Sequence, residues 1–255
     1  MLFVTGATMV SFRLSMLLLI ALCVSACSTV QISAPQEYTP DSASLNAEQP
    51  GRSWWQLRFK LTWPEDEAPD FSRHLLIADQ IIAPALIAHE DEIALWRIHR
   101  RAGRTPSGHQ FSLIIYTDDA TAQALAADVE THPLTLWLLE RDMIEQTRFD
   151  RRTKEELATL EDTSDRSWPA EIQRSWPYFI MGASQSWLLM VQELSAGEGL
   201  AGTVSYDDLL AHYVVVHEQL TAQWREFGQH AYLHHLSAIF GYQPIRVRSS
   251  ELRSF

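Results

Sequence analysis

The alternation of apolar and polar positions divides the chain into a strand-rich half and a helix-rich half. Four segments of the first half alternate with a period of two, which predicts strands with one buried face. They lie at residues 54–63, 94–100, 109–117 and 144–151. Two segments between them carry apolar side chains at helical spacing, at residues 71–88 and 120–139. The predicted order of elements is therefore β-α-β-β-α-β.

This order resembles the split β-α-β arrangement of ferredoxin-like folds. The resemblance implies an antiparallel sheet with both helices on one face, in which the second and fourth strands lie at the edges. We therefore predict an α+β fold with a ferredoxin-like domain over residues 53–152.

Residues 153–255 predict a mainly helical region packed on the sheet domain. The predicted segments are helices at 169–197, 205–228 and 230–240 and an edge strand at 242–248. Ser205 and Asp208 resemble a capping box, and Gly228 is expected to break the second helix. We expect this region to pack against the sheet, because Ile114 and Tyr116 lie on the face that the first two helices leave free.

A short apolar run near the start of the chain predicts an export signal. Arg13 is the single charged residue before Cys27, and the apolar run at residues 16–24 is too short to span a bilayer. The run ends in Val24-Ser25-Ala26-Cys27, which resembles the lipobox of bacterial lipoproteins. An ordinary signal cut near Ala26 and an uncleaved anchor are the alternatives, and translation starts at either Met1 or Met9.

The lipobox resemblance implies that residues 1–26 are removed and that Cys27 becomes a lipidated N-terminus. Ser28 follows this cysteine, where an aspartate would imply retention at the inner membrane, so the resemblance implies an outer-membrane protein that faces the periplasm. Residues 27–52 have the proline-rich and polar composition of a flexible tether. The lipid would thus be the contact with the membrane.

Charge and cysteine content exclude several classes of function. The formal net charge is −12, and removal of Arg13 with the signal makes it −13, whereas nucleic-acid binding needs a basic surface. Two cysteines exclude a disulfide scaffold and a cysteine-based metal site. Residues 197–202 match GxGxxG but follow a helix rather than a strand, so we expect no nucleotide and no cofactor.

Two groups of residues are candidate binding sites. His230 and His234 lie four residues apart on one helix face, which is a spacing that can present two imidazoles to a metal. The third ligand is not identifiable, and a solvated helix face is the alternative. His217-Glu218 begins an HExxH motif, but Thr221 stands where its second histidine is required, and His217 falls in the apolar stripe of its helix.

The second candidate is an anion site of basic residues on the predicted sheet. Its proposed members are Arg58, Lys60, Arg97 and Arg101. The second strand and its turn also carry further basic residues, among them Arg100. The alternative is that these charges protect edge strands and pair with nearby acids such as Glu90, Asp91 and Glu92.

The remaining features favour structural roles. Residues 182–186 lack one residue of the GxSxG motif and lie inside a predicted helix, where small side chains permit close packing. The nine tryptophans are expected to fill the core, although an aromatic pocket between sheet and helices is the alternative.

We expect a periplasmic lipoprotein that binds a ligand or an envelope protein. The alternative is a metal-dependent protein or enzyme that uses the histidine pair.

Overall fold

The computed structural model describes residues 51–150, 159–197 and 205–245, which all belong to one compact unit, Asp41–Phe255. Within these residues, the strands are β1 (Arg52–Leu61), β2 (Leu95–Arg101), β3 (His109–Asp118) and β4 (Ile144–Asp150). They form one antiparallel sheet in the order β2-β3-β1-β4. β2 and β4 are therefore the edge strands, as the sequence predicts.

Three helices lie between the strands along the chain, the first between β1 and β2 and the other two between β3 and β4. The helix α1 has three consecutive segments, an α-helix Ser72–Ile77, a π-helix Ala78–Ile82 and an α-helix Ala83–Ala88. The next two are α2 (Asp119–Glu130) and α3 (Pro133–Glu140). A short 3-10 turn, Leu160–Thr163, follows the sheet.

The C-terminal part is helical. Its helices are α4 (Ala170–Gly197), α5 (Tyr206–Gly228) and α6, which has a π-helical segment Gln229–His234 and an α-helical segment His235–Ile239. The prediction of an α+β fold with a helical C-terminal part is confirmed.

Two details of the C-terminal part differ from the sequence prediction. Gly228 does not break the helix, because its backbone stays helical (φ −58°, ψ −36°) and the chain continues directly into α6. Residues 242–245, the described part of the predicted last strand, form no strand. Gly241 and Tyr242 have positive φ angles of 65° and 54°, which turn the backbone out of the helix instead.

The main core lies between the sheet and helices α1 to α3. Alternate residues of β1 and β3 supply its sheet side, because successive side chains of a strand point to opposite faces. Its fully buried members include Phe59, Leu61, Leu75, Ile77, Phe111, Leu113 and Leu125. A smaller cluster of Trp54, Leu95, Ile114, Tyr116 and Leu160 lies on the opposite face.

Helices α4 and α5 pack beside the sheet and extend the main core. α4 lies along the edge strand β2, and α5 packs on α1. Their buried side chains, among them Leu188, Val191, Tyr213 and Val216, belong to the main cluster. Ile114 and Tyr116 are buried, as expected, but the residues that pack with them are Leu160 of the 3-10 turn and Met181 of α4.

Ser184 joins α4 to the open edge of β2. Its Oγ accepts a hydrogen bond from the backbone N–H of Ile98 (3.0 Å) and donates to the carbonyl of Ile180 (2.7 Å). An edge strand presents backbone groups that would otherwise lack a partner, so this hydroxyl satisfies one of them in a buried contact. The incomplete GxSxG segment therefore has a packing role at Ser184.

We predict that Ser184→Ala lowers the free energy of unfolding by about 1–3 kcal/mol, because the buried N–H of Ile98 loses its acceptor. Urea denaturation of the two proteins measures the difference. Ser175→Ala is the matched control, because Ser175 is an exposed serine of the same helix that bonds only to Ile172 of its own helix. Equal stability of the two variants would contradict the role assigned to Ser184.

Candidate functional site

An apolar pocket of about 850 Å³ lies between helices α4, α5 and α6. Its walls are mainly aromatic and aliphatic, formed by side chains that include Tyr178, Phe179, Trp187, Met190, Leu220, Trp224, Tyr232, Leu236 and Ile239. Pockets of this size and composition are typical of small-molecule sites. Trp187 and Trp224 thus line the pocket, and Trp187 also packs against the main core.

Small residues on α4 leave room for the pocket. Gly182 and Ala183 face it, whereas the next residue, Ser184, faces β2. A Cβ atom added at Gly182 would meet no atom within 4 Å. The small side chains that sequence reasoning assigned to close helix packing therefore widen the space between the helices.

Arg100 reaches this pocket from the sheet. On β2 it follows Ile98 by two residues and pairs with Phe111 of β3, so its side chain lies on the core face of the sheet. Its Cζ lies 4.7 Å from the ring centroid of Trp187 and 5.2 Å from that of Phe71. The guanidinium is therefore held between two aromatic rings and lines the base of the pocket.

Two hydrogen bonds fix the guanidinium. Nε donates to Nδ1 of His74 (3.1 Å), and Nη2 donates to the carbonyl of Phe71 (3.4 Å). Because Nδ1 of His74 accepts, its ring is neutral and carries its proton on Nε2. Burial lowers the pKa of Arg100 to about 10, so it is still a cation at neutral pH. In the part of the chain that the structure describes, Arg100 forms no ion pair with a carboxylate.

Three histidines surround Arg100 and are kept neutral. Burial, followed by the charge of Arg100, lowers the pKa of His74 well below its usual value and also lowers that of His217. Burial lowers the pKa of His109 to about 4, although Asp70 opposes the shift. Arg100 is therefore the cationic member of this group at neutral pH.

Four buried side-chain nitrogens near Arg100 have no hydrogen-bond partner among the described residues. Two belong to pocket-lining side chains, Nδ1 of His217 and Nε1 of Trp187. The others are Nε2 of His74 and Nε2 of His109, whose rings lie 4.5 Å apart and do not line the pocket. All four atoms are closed off from solvent, so it is the guanidinium of Arg100 beside apolar walls that suits a ligand with an apolar body and a polar end.

The predicted anion site is not assembled as one cluster. Arg58 pairs with Asp150 (3.7 Å) and Lys60 with Glu145 (2.5 Å), both on the edge strand β4. Arg97 donates through Nε to Oγ1 of Thr163 (2.8 Å) and so holds the 3-10 turn. The two pairings match the alternative in which local acids neutralise these charges.

Arg101 is exposed. In the sheet, Gln110 of β3 pairs with both Arg101 and Lys60 and therefore lies between them. The neighbouring Arg100 lies on the other face of the strand, where it lines the pocket and has no carboxylate partner among the described residues. Sequence reasoning named Arg100 in the basic run but did not select it. The sequence did contain a signal for this, because Arg100 is two residues from Ile98 and four from Trp96, so all three side chains lie on the same face of the strand.

The histidine pair of α6 is exposed to solvent. The rings of His230 and His234 are stacked with their centroids 5.2 Å apart and their planes 13° from parallel. The described residues contain no group of three or more histidine, cysteine, aspartate or glutamate side chains able to hold a metal. The metal site at these histidines stays a prediction.

A second polar network joins α1, α4 and α5, and sequence reasoning missed it. Tyr213 donates to the carboxylate of Asp79 and accepts from Nε2 of Gln80 (2.7 Å). Burial and the bond to Asp79 raise the pKa of Tyr213. Oγ of Ser195 lies 2.9 Å from Nε2 of His212 and donates to the hydroxyl of Tyr213 (3.4 Å).

The Ser195–His212 contact resembles a nucleophile beside a base, but its location argues against catalysis. Ser195 is in the last turn of α4, where the partial negative charge of a helix C-terminus opposes an oxyanion. Neither residue lines the apolar pocket. We therefore assign this network to the packing of α5 on α1 and α4.

Several predicted features lie outside the described residues. They are the signal at 1–26, Cys27 with most of the tether at 27–52, and residues 198–202 of the GxGxxG match. Among the described helices, none is both long enough and apolar enough to span a membrane.

Comparison with known proteins provides little further information. No family model and no curated protein matches the chain. It is similar to a solved structure from Thermobifida fusca described as a dimeric ferredoxin-like protein of unknown function, with 15% sequence identity and a TM-score of 0.24. That similarity covers 38% of this chain and 87% of the other, and it supports no functional conclusion.

We predict that the free energy of unfolding decreases as the pH falls from about 6.5 towards 4. In this range the histidines of the unfolded chain bind protons, whereas the same histidines stay neutral in the folded protein because burial lowers their pKa. Each such histidine adds at most about 1.4 kcal/mol per pH unit to this slope. His109→Gln should make the slope shallower in urea denaturation at several pH values. His230→Gln, the same substitution at an exposed histidine, is the control variant. A slope that is the same in all three proteins would contradict the role of His109.

Proposed function

We propose that this chain is a lipid-anchored lipoprotein of the outer membrane, facing the periplasm, that binds an apolar small molecule in the pocket between α4, α5 and α6. The observation that carries the binding role is the pocket itself, with its volume of about 850 Å³ and its predominantly apolar walls. A cavity of this kind favours a small ligand over a protein partner, because it is concave rather than flat.

The exposure of the pocket walls supports a bound ligand. Phe179, Trp224 and Ile239 are 48%, 54% and 79% exposed, although all three line the same pocket. Monomeric proteins rarely expose a continuous apolar surface of this kind unless it binds something. An apolar ligand would remove these side chains from water.

The membrane anchor is supported by the sequence at the start of the chain. Val24-Ser25-Ala26-Cys27 follows a short apolar run, and Ser28 takes the place of an aspartate that would signal the inner membrane. The acyl chains would be attached at Cys27, and residues 28–52 would give the binding domain reach from the membrane. An acidic chain is repelled by anionic lipid, so a covalent lipid explains how it stays there.

We also propose that residues 53–152 belong to the ferredoxin-like class of α+β folds. The support is the order β-α-β-β-α-β together with the antiparallel strand order β2-β3-β1-β4. Helices α1 to α3 contribute to one core on a single face of the sheet, as that arrangement requires.

We predict that Gly182→Phe abolishes binding of Nile red, a neutral dye whose fluorescence rises in apolar surroundings. The new ring would project into the pocket, where a Cβ at this position meets nothing within 4 Å, so the helix can accept it. Gln185→Phe is the matched control, because it adds the same ring at an exposed position of α4 outside the pocket. Loss of the fluorescence signal in both variants, or in neither, would contradict the assignment of the pocket.

We predict that Cys27→Ala abolishes labelling of the protein by radioactive palmitate. The cysteine sulfur is the attachment atom, and without this cysteine the lipobox no longer directs removal of residues 1–26, so the label rather than release from the membrane is the measurement. Ser25→Ala, two residues earlier in the signal, is the control and should keep the label. Continued labelling of the Cys27→Ala protein would exclude the lipoprotein assignment.

A further inference from the structure

We propose that the pocket selects an amphiphile with one alkyl chain and a single negative charge, a long-chain carboxylate, whose head binds Arg100. This inference rests on the proposed function, because it assigns the ligand class of the same pocket. The head would lie at the base, against Arg100, His217 and Trp187, and the chain would lie between α4, α5 and α6.

The first argument is the unbalanced charge at the pocket base. Arg100 is held between Phe71 and Trp187, and no carboxylate among the described residues pairs with it. A charge removed from water without a counter-ion costs free energy, so an anion gains more here than at an exposed arginine. Arg58 and Lys60 are already paired with acids, and Arg97 is bonded to Thr163 outside the pocket, which leaves Arg100 as the arginine that lines the pocket.

The second argument is the geometry of the available donors. A guanidinium has five N–H groups, and Arg100 uses one on Nε and one on Nη2 for His74 and Phe71. The others have no protein acceptor in the described part of the chain and belong to a side chain that lines the pocket. A planar carboxylate can accept two parallel N–H groups from one guanidinium, which fits this arrangement.

The third argument is the number of charges. Desolvation and Arg100 keep His74 and His217 neutral, and desolvation keeps His109 neutral, so the pocket base offers one positive charge. A carboxylate carries one negative charge and neutralises it. A phosphate monoester carries about −1.5 to −2 at neutral pH and would leave excess negative charge in an apolar site.

The fourth argument is the chemistry of the walls. Above Arg100, the pocket is lined by side chains such as Phe179, Met190, Leu236 and Ile239, which offer no hydrogen bonds to a polar ligand body. An alkyl chain gains from such contacts through burial of its apolar surface. A short anion such as acetate would satisfy Arg100 but would leave these walls in water.

The test uses the full chain with Cys27→Ala in every protein, so that no protein-bound acyl chain competes. Displacement of Nile red is measured with hexadecanoate, hexadecanol and hexadecyl phosphate below their micelle concentrations. We expect hexadecanoate to bind about 10-fold to 100-fold more tightly than hexadecanol, the gain from hydrogen bonds to a charged group. Hexadecyl phosphate should bind more weakly than hexadecanoate.

Substitution at Arg100 assigns the preference to that side chain. Arg100→Met should remove the preference for hexadecanoate, so that the ratio of hexadecanoate to hexadecanol binding falls to about 1. Arg101→Met is the matched control, because it is the same substitution on the adjacent residue of β2, on the opposite face and exposed. Should Arg100→Met fail to fold, the ratio of hexadecanoate to hexadecanol binding in the parent protein still decides the proposal.

The outcomes separate this inference from the proposed function. Equal binding of hexadecanoate and hexadecanol overturns the selection of an anion but leaves an apolar binding pocket. Tighter binding of hexadecyl phosphate overturns the single-charge argument. If neither Nile red nor any of the three amphiphiles binds, the proposed function itself is wrong. A preference for hexadecanoate that survives Arg100→Met places the anion elsewhere and also overturns the inference.

Discussion

The packing of α4 along the open edge of β2 is the contact on which the rest of the C-terminal part depends. An edge strand exposes unpaired N–H and C=O groups, and Ser184 satisfies the N–H of Ile98 in a buried hydrogen bond. Two residues further along β2, Arg100 lies on the core face, against Trp187 of the same helix. One helix–strand contact therefore protects the sheet edge and also places a cation under the helices.

The rotation of α5 is fixed by a second buried contact. Tyr213 is fully buried and joins Asp79 and Gln80 of α1, so this face of α5 must point towards the sheet half. His217 follows one turn later on the same face, and Thr221 and Trp224 continue it into the pocket. The network that resembles a Ser–His pair thus has a positional effect, because it sets which α5 residues line the pocket.

The pocket combines a charged guanidinium with apolar walls, and this combination explains why one site can favour an amphiphile. Burial keeps the histidines neutral and leaves the guanidinium charged, because an arginine loses its proton only at high pH. Several wall side chains, among them Phe179, Trp224 and Ile239, are far more exposed than core residues. A ligand with a negatively charged end and an apolar body would pair with the guanidinium and would also cover the exposed apolar walls.

The sequence by itself determined the four strands and the main helices, but not the continuation of the helix through Gly228 or the absence of a strand at residues 242–245. Alternation in β1 to β4 placed the strands, and Ser205, whose side chain accepts from the backbone N–H of Asp208, placed the start of α5, because these signals are local. The same alternation already put Arg100 in phase with Ile98. Only the tertiary structure decided that Arg58 pairs with Asp150, that Ser184 serves a strand edge, and that α4 to α6 enclose a pocket. Each of these depends on the distance between residues far apart in the chain, and no periodicity within a segment encodes such a distance.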